Sequence, residues 1–331
     1  AFAGPTREWL LNRQDEVARG WGARHVAKSD IDALGEMCAA FTDVADRLGG
    51  GYARSTLLHY TNQIVLPLLQ GSYNDAIGRE LMAATARLCD LCGWMSWDSG
   101  RQGLAQRYYI QALRLAQASG NRPLGAHILA DMAMQAHDLG DAAQALDLAS
   151  AGLDRGSPVT QARCAAWQGR AHALRGDQRA CAQACTVAHR ALDRAAPAYE
   201  RVWFKLFTPE HMTYETLRMA SDLDRHDDVQ RLTPGLLTST SVAGRLRRHV
   251  ISTTTLASSY LPRDGNPHSD IDRACELLSQ VIPSLGSLSS THALKSVNSL
   301  RRGLAAHAGH PSVQEVEDRF RSTITPVGTP L

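Results

Sequence analysis

Apolar residues along this chain recur at intervals of three and four positions, the spacing that places them on one face of an α-helix. Alanine, leucine, arginine and glutamine are frequent, and no segment alternates apolar and polar residues as a half-buried strand would. Glycines and the Thr208-Pro209 pair separate periodic segments, so short loops join long helices. The pattern predicts an all-α protein whose neighbouring helices run antiparallel.

Three glycines, each followed by a polar residue, mark an internal repeat. Gly100, Gly140 and Gly176 are 40 and 36 residues apart, a period typical of stacked helical hairpins. Positions five, nine and twelve residues after each glycine are mostly small: Ala105, Tyr109, Ala112, Ala145, Ala149, Gly152, Cys181, Cys185 and Ala188. Small side chains let facing helices approach closely, so each hairpin buries its apolar face against the next.

This repeat resembles the tetratricopeptide repeat. We therefore expect a right-handed superhelical array of antiparallel helix hairpins, a solenoid, over residues 29–324. Residues 1–28 are expected to form a linker or N-terminal extension, and residues 325–331 a disordered tail.

The resemblance to one family is closer, and three segments carry it: "REWLL", "GGGYARSTLLHY" and "LCGWMSWDSGRQGLAQRYYIQALRLAQASGNRPLGAHILADMAMQAHDLGD". They look like the C-terminal sensory region of lambda-repressor-like (Xre-type) helix-turn-helix transcriptional regulators of actinomycetes. The resemblance covers the chain from Arg7 to about Phe320. It implies a homodimeric sensory module that reaches DNA only through an N-terminal domain absent from this chain, and it implies no particular ligand.

Composition and charge bear on whether the protein binds nucleic acid, associates with a membrane or is secreted. The 331 residues carry a formal net charge of +2, so global charge favours neither nucleic acid nor membrane. No run of ~18 apolar residues is present to span a bilayer, and the N-terminal segment is too polar for a signal peptide. We expect a cytoplasmic protein with no membrane partner.

The seven cysteines are an odd number, which argues against a disulfide framework. Cys89 and Cys92 form a CxxC inside a predicted helix, without a second pair at zinc-finger spacing. They and the pair Cys181 and Cys185 are interpreted as small packing residues. No metal or cofactor is expected.

Candidate ligand-binding residues follow from the predicted array, because the first helices of stacked hairpins line its concave side. The residues expected in this groove are Asp90, Trp94, Trp97, Asp98, His127, Met134, His137, Asp138 and Arg170. A second group, after Ala196, would close it: Trp203, Phe207, Glu210, His211 and Tyr214. Tryptophans would offer flat apolar surfaces, and charged groups would orient the ligand. The alternative is that the tryptophans and histidines only fill a core.

Two basic clusters are interpreted as solvated helix faces, with an anionic ligand or partner surface as the alternative. They are Arg245, Arg247, Arg248 and His249, and Arg301 and Arg302. Aromatic residues are not interleaved with them, as a stacking platform for nucleic acid would require.

Three functions remain open. The first is a sensor that binds a small molecule or short peptide in the groove and signals by a population shift. The second is a scaffold that binds a partner protein's helix or tail. The third is an enzyme using His137 with Asp138, or His211 with Glu210, as acid and base. No catalytic residue is assigned, and a homodimer would use residues 290–322 or 30–70.

Overall fold

The computed structural model describes residues 2–11, 20–195, 207–242, 245–262 and 269–323. These ranges are almost entirely helical, which confirms the all-α prediction. The helices are α1 (Ala3–Leu11), α2 (Lys28–Leu48), α3 (Gly50–Tyr60), α4 (Leu66–Leu69), α5 (Asp75–Asp98), α6 (Gln102–Ala118), α7 (Arg122–Asp138), α8 (Ala142–Leu153), α9 (Pro158–Leu174), α10 (Gln178–Asp193), α11 (Pro209–Asp222), α12 (His226–Val242), α13 (Leu246–Ser259), α14 (Ile271–Val281), α15 (Thr291–Leu304) and α16 (Pro311–Thr323). Within the described ranges, no helix has both the length and the apolar character that crossing a membrane requires.

One short sheet accompanies the helices. Strand β1 (Gly20–Trp21) pairs antiparallel with β2 (Ser72–Tyr73). The sequence predicted no strand, because a two-residue strand is too short to show alternation between apolar and polar positions.

The three glycines that mark the repeat end α5, α7 and α9 in the left-handed region, with φ of 75°, 81° and 72°. After the first of them, the amide of Arg101 donates to the carbonyl of Ser96 at 2.8 Å, as in a Schellman motif. Asp141 and Asp177 then cap α8 and α10, and each side chain accepts a 2.9 Å hydrogen bond from the amide three residues on. The predicted helix breaks at these glycines are confirmed.

Small residues lie where helices pack most closely. A Cβ atom on Gly93 would lie 2.6 Å from the Tyr109 ring, and one on Gly152 would lie 2.8 Å from the Cys164 sulfur. Ala105 is fully buried in the same interface between α5 and α6. These distances exclude larger side chains at Gly93 and Gly152, because a packed interior has no room for them.

The helices form an inner and an outer layer. Five hairpins pair α5 with α6, α7 with α8, α9 with α10, α11 with α12 and α13 with α14. The first helix of each hairpin also contacts the first helix of the next, and α15 continues this row by packing on α13. The chain is thus a helical repeat, while the predicted right-handed superhelical rise stays a prediction.

The two ends of this row meet. Helix α2 packs against both α5 and α13. The amide of Ser289 donates to the carbonyl of Leu48 at 2.7 Å, and the amide of Gly51 donates to the carbonyl of Ser289 at 2.9 Å. The groove expected from the sequence is therefore closed into a ring by contacts between residues more than two hundred positions apart.

Asp98 holds this closure. Its side chain is fully buried and accepts hydrogen bonds from the Gly50 amide at 2.8 Å, Arg247 Nε at 2.7 Å and Ser290 Oγ at 2.8 Å. A Cβ atom on Gly50 would lie 2.8 Å from the Met95 Cα, so glycine is required for the approach. The prediction that Asp98 faces a ligand is wrong, because its oxygens are used to join α3, α13 and the start of α15.

The predicted linker at residues 1–28 contains packed structure. Phe2 and Trp9 are buried, and a Cβ atom on Gly125 of α7 would lie 2.2 Å from Trp9 Nε1. Helix α1 contacts α6 and α8. These two aromatic side chains anchor a segment whose polar residues made it look like a linker. The predicted tail at 325–331 lies outside the described residues.

Removing the Asp98 carboxylate should strongly destabilise the fold. Asp98→Ala leaves Arg247 buried without its charge partner, so we expect a loss of about 3–5 kcal/mol in the free energy of unfolding. Urea unfolding measures it. Asp43→Ala, which removes an exposed i,i+4 partner of Arg47, serves as the control and should cost less than about 1 kcal/mol. Equal, small losses in both variants would contradict the role given to Asp98.

Candidate functional site

A cavity of about 700 Å³ lies inside the ring. Seven helices surround it, namely α2, α5, α7, α9, α11, α13 and α15, and each contributes one face. On α7 the lining residues recur every three or four positions: Leu124, His127, Asp131, Met134 and His137. The volume falls in the range of ~300–1,000 Å³ that small-molecule pockets occupy.

Most of the residues predicted to face a ligand line this cavity. They are Asp90, Trp94, Trp97, His127, Met134, His137, Asp138, Arg170, Phe207, His211 and Tyr214. Asp98 lies behind the wall in the ring closure. Glu210 is exposed in the first turn of α11 and does not line the cavity. Trp203 lies outside the described residues.

One end of the wall carries a buried acid and histidine cluster. His127 Nε2 lies 3.7 Å from Asp90 Oδ2 and 3.6 Å from Asp131 Oδ2, and Arg163 forms an ion pair with Asp131. Burial, followed by the charges of Arg163 and Arg87, holds the pKa of His127 well below its usual value. His127 is therefore neutral at physiological pH.

Asp90 is the unsatisfied member of this cluster. Its Oδ1 atom is buried and has no hydrogen-bond partner among the described residues. Burial and then the nearby Asp131 charge raise the pKa of Asp90 well above its usual value. One ligand atom each from Asp90, His127 and Asp131 could surround a cation, but the Arg163 guanidinium already occupies Asp131 and opposes a second positive charge.

A second network surrounds Arg170. Its Nη1 donates to Glu215 Oε2 and its Nε to Asp222 Oδ2, both at 3.0 Å. Burial alone would raise the pKa of Glu215, but the hydrogen bond with His211 and the Arg170 charge hold it at about 2. His137 lies 3.7 Å from Asp222, and burial lowers its pKa. The Arg170 charge is thus neutralised within the wall.

These contacts also bear on the enzyme hypothesis. His137 pairs with Asp222 rather than Asp138, and His211 Nε2 lies 3.5 Å from Glu215 Oε1 while Glu210 is turned to solvent. Neither acid–base pair suggested by adjacency in sequence is formed, because successive helical residues point about 100° apart.

Aromatic residues meet the closing helices on the opposite side. The rings of Trp97 and His292 stack with centroids 3.9 Å apart, and Asp138 Oδ2 accepts from Trp97 Nε1 and contacts His292 Nδ1, both at 3.2 Å. The Arg247 guanidinium lies 5.2 Å from the Trp97 ring centroid and 5.4 Å from that of Trp94. Side chains of the protein itself therefore cover part of the tryptophan surface that we expected a ligand to contact.

Arg247 and Arg248 correct a further expectation. Both were interpreted as parts of a solvated face, yet each is about 8% exposed and lines the cavity. Arg247 bonds Asp98, and Arg248 Nη2 lies 3.3 Å from Asp46 Oδ1. Ring closure buries this end of α13, which periodicity within one helix does not reveal.

Some missed lining residues had a signal in the repeat. Thirteen residues before each repeat glycine stand Arg87, His127 and Arg163, and nine before stand Leu91, Asp131 and Trp167. All six line the cavity. Extending the repeat alignment to the position of His127 would have identified Arg87 and Arg163 in the neighbouring repeats. His292, Lys295 and Arg302 of α15 lie outside the aligned units, and no such signal existed for them.

Comparison with known protein families finds no family model that matches this chain, and a search of curated proteins finds no matching relative. The functional argument therefore depends on the cavity and its wall.

The titration of Asp90 gives a testable pH dependence. An ordinary aspartate in the unfolded chain loses its proton near pH ~3.9, whereas the folded protein holds it to higher pH. This contribution to stability is present below that pH and is lost as the pH rises through the folded-state pKa. Asp90→Asn keeps the shape without titrating, so its free energy of unfolding should exceed that of the wild type at neutral pH, with the difference shrinking towards pH 4.

Urea unfolding across this pH range measures the difference. Asp147→Asn, at an exposed position on α8, is the matched control and should show no such trend. An Asp90→Asn variant that is less stable than the wild type at neutral pH would mean that the ionised carboxylate stabilises the fold.

Proposed function

We propose that this chain is the sensory module of a transcriptional regulator and that a small molecule binds in the cavity inside the ring. The observation that carries the proposal is the cavity of about 700 Å³ whose wall combines tryptophan, histidine and charged side chains from seven helices. The link to transcription rests on the family resemblance, with DNA contacted through an N-terminal domain. A cytoplasmic location belongs to the same proposal.

Ring closure favours a compact ligand over a partner helix. A groove that binds a protein segment has to be open along its length, whereas here α2 meets α13 and the Ser289 backbone bonds Leu48 and Gly51. The scaffold hypothesis receives no comparable support from these contacts.

The proposed mechanism follows from which helices form the wall of the cavity. A ligand that touches α5 and α7 on one side and α13 and α15 on the other makes all its contacts only in the closed ring. It therefore binds the closed state better than an opened one and shifts the population towards closure. That shift would be the signal passed to an attached domain.

Ligand-induced stabilisation tests this proposal. In a metabolite screen by thermal unfolding, a true ligand at ~100 times its Kd should stabilise the chain by about 2.7 kcal/mol. The variant Trp94→Ala/His137→Ala removes two cavity side chains and should lose most of that increment. Leu174→Ala/His189→Ala, at exposed positions outside the cavity, should keep it.

Each increment is measured against the same variant without ligand, so a change in basal stability does not enter the result. Stabilisation that is equal in both double variants would place binding outside the cavity. Absence of any stabilising compound would remove the sensory proposal.

We also propose a homodimer that uses the N-terminal part of the array. Among the large apolar side chains that the structure shows as exposed, five of nine fall between residues 21 and 66: Trp21, Met37, Tyr52, Ile64 and Leu66. A contiguous exposed apolar patch marks an interaction surface, and the helices α2 and α3 that carry Met37 and Tyr52 pack against each other.

Light scattering tests the dimer. Tyr52→Ser/Leu66→Ser should shift the mass in solution from dimer towards monomer, because each change removes apolar area from the interface. Leu139→Ser/Leu174→Ser, at two exposed leucines elsewhere in the array, is the matched control and should leave the mass unchanged. A monomeric wild-type chain would contradict the proposal.

A further inference from the structure

The cavity face of α15 carries basic and hydroxyl groups. His292, Lys295, Ser296, Ser299 and Arg302 line the cavity from this one helix. Their spacing of three or four residues places them in a stripe of ~15 Å at 1.5 Å per residue. Three of these residues both line the cavity and are exposed to solvent, namely Lys295, Ser299 and Arg302. The stripe therefore lies at the mouth of the cavity.

The acidic groups of the wall are almost all used by the protein itself. The lining contains eight basic and five acidic residues. Asp46 pairs with Arg248, Asp131 with Arg163 and Glu215 with Arg170, while Asp138 contacts the Trp97 and His292 side chains. Asp90 is left beside His127, and its raised pKa favours the uncharged form.

Three lining cations are left over. Arg218, Lys295 and Arg302 have no ion-pair partner in the part of the chain that the structure describes. Arg301, their neighbour on the outer side of α15, is bound by Glu317 Oε1 at 2.8 Å. On the cavity side of α15, Asp138 contacts His292, whereas Lys295 and Arg302 have no comparable acidic partner among the described residues.

Two buried groups indicate the same missing charge. Arg218 Nε is buried with no acceptor among the described residues, although a buried donor is normally satisfied. Arg248 has a lowered pKa because burial and the neighbouring Arg245 and Arg247 outweigh the attraction of Asp46. A negatively charged group in the cavity would compensate both.

We propose that the ligand is a small, multiply charged oxyanion, held at the mouth of the cavity by Lys295 and Arg302 with the Ser299 hydroxyl, and balanced by Arg218. This inference rests on the proposed sensory function. Lysine supplies a compact charge and arginine a planar fork of donors, a combination suited to phosphoryl or carboxylate oxygens. These two oxyanion sources share the chemistry and are separated by experiment.

Calorimetric titration of the whole chain with three probes tests the inference: inorganic pyrophosphate, citrate and, as a cation of similar size, spermidine. We expect one pyrophosphate or citrate per chain and no binding of spermidine. Lys295→Ala/Arg302→Ala should weaken anion binding by at least about ten-fold, since charge-assisted hydrogen bonds are lost. Arg179→Ala/Arg190→Ala removes two exposed charges from α10, outside the cavity, and should stay within about two-fold of the wild type.

Binding of pyrophosphate alone would assign a phosphoryl ligand, and binding of citrate alone a carboxylate. Equal weakening in both double variants would show that only general surface charge is involved and would overturn the inference. If neither anion binds while a neutral or cationic compound from the thermal screen stabilises the chain, the charge assignment falls and the sensory function stands. If no compound binds at all, both fall together.

Discussion

The buried carboxylate of Asp98 is the interaction on which the architecture depends. It accepts a backbone amide from Gly50, a guanidinium from Arg247 and a hydroxyl from Ser290, so three separate parts of the chain converge on one side chain. A buried charge is tolerated only where such donors surround it. Asp98 thereby ties α5 to α3, α13 and the start of α15, and the ion pair of Arg248 with Asp46 joins α13 to α2 beside it.

Closure changes what the inner side chains do. Trp97 stacks on His292 and Arg170 is bound by Glu215 and Asp222, so groups that look available in the sequence are already used within the wall. These buried pairs fix the shape of the cavity at a desolvation cost. Arg218 of α11 and Lys295 and Arg302 of α15 line the same cavity without an ion-pair partner among the described residues.

Local features of the fold could be predicted from the sequence, because they depend on residues close together in the chain. The glycine after α7 and the cap at Asp141 are set by backbone conformation, and the inward position of Met134 is set by helical periodicity. The face of a helix is a local property. The repeat then carried this information from one hairpin to the next.

Ring closure could not be predicted, because no local preference specifies which distant helix a surface will meet. Asp98 was placed in the groove, and Arg247 was placed in solvent, since neither position reveals that the other lies beside it. His292 is the partner of Trp97 across almost two hundred residues. The basic stripe on α15 was missed for the same reason.

Hydrogen exchange at the Gly51 and Ser289 amides tests the closed ring most directly. Both amides donate to acceptors that are present only when the two ends of the row meet. The structure predicts that these two amides exchange slowly, with protection lost only when the ring opens. Exchange of both amides at the rate of an unstructured loop, while α7 and α9 remain protected, would contradict closure and with it the enclosed cavity.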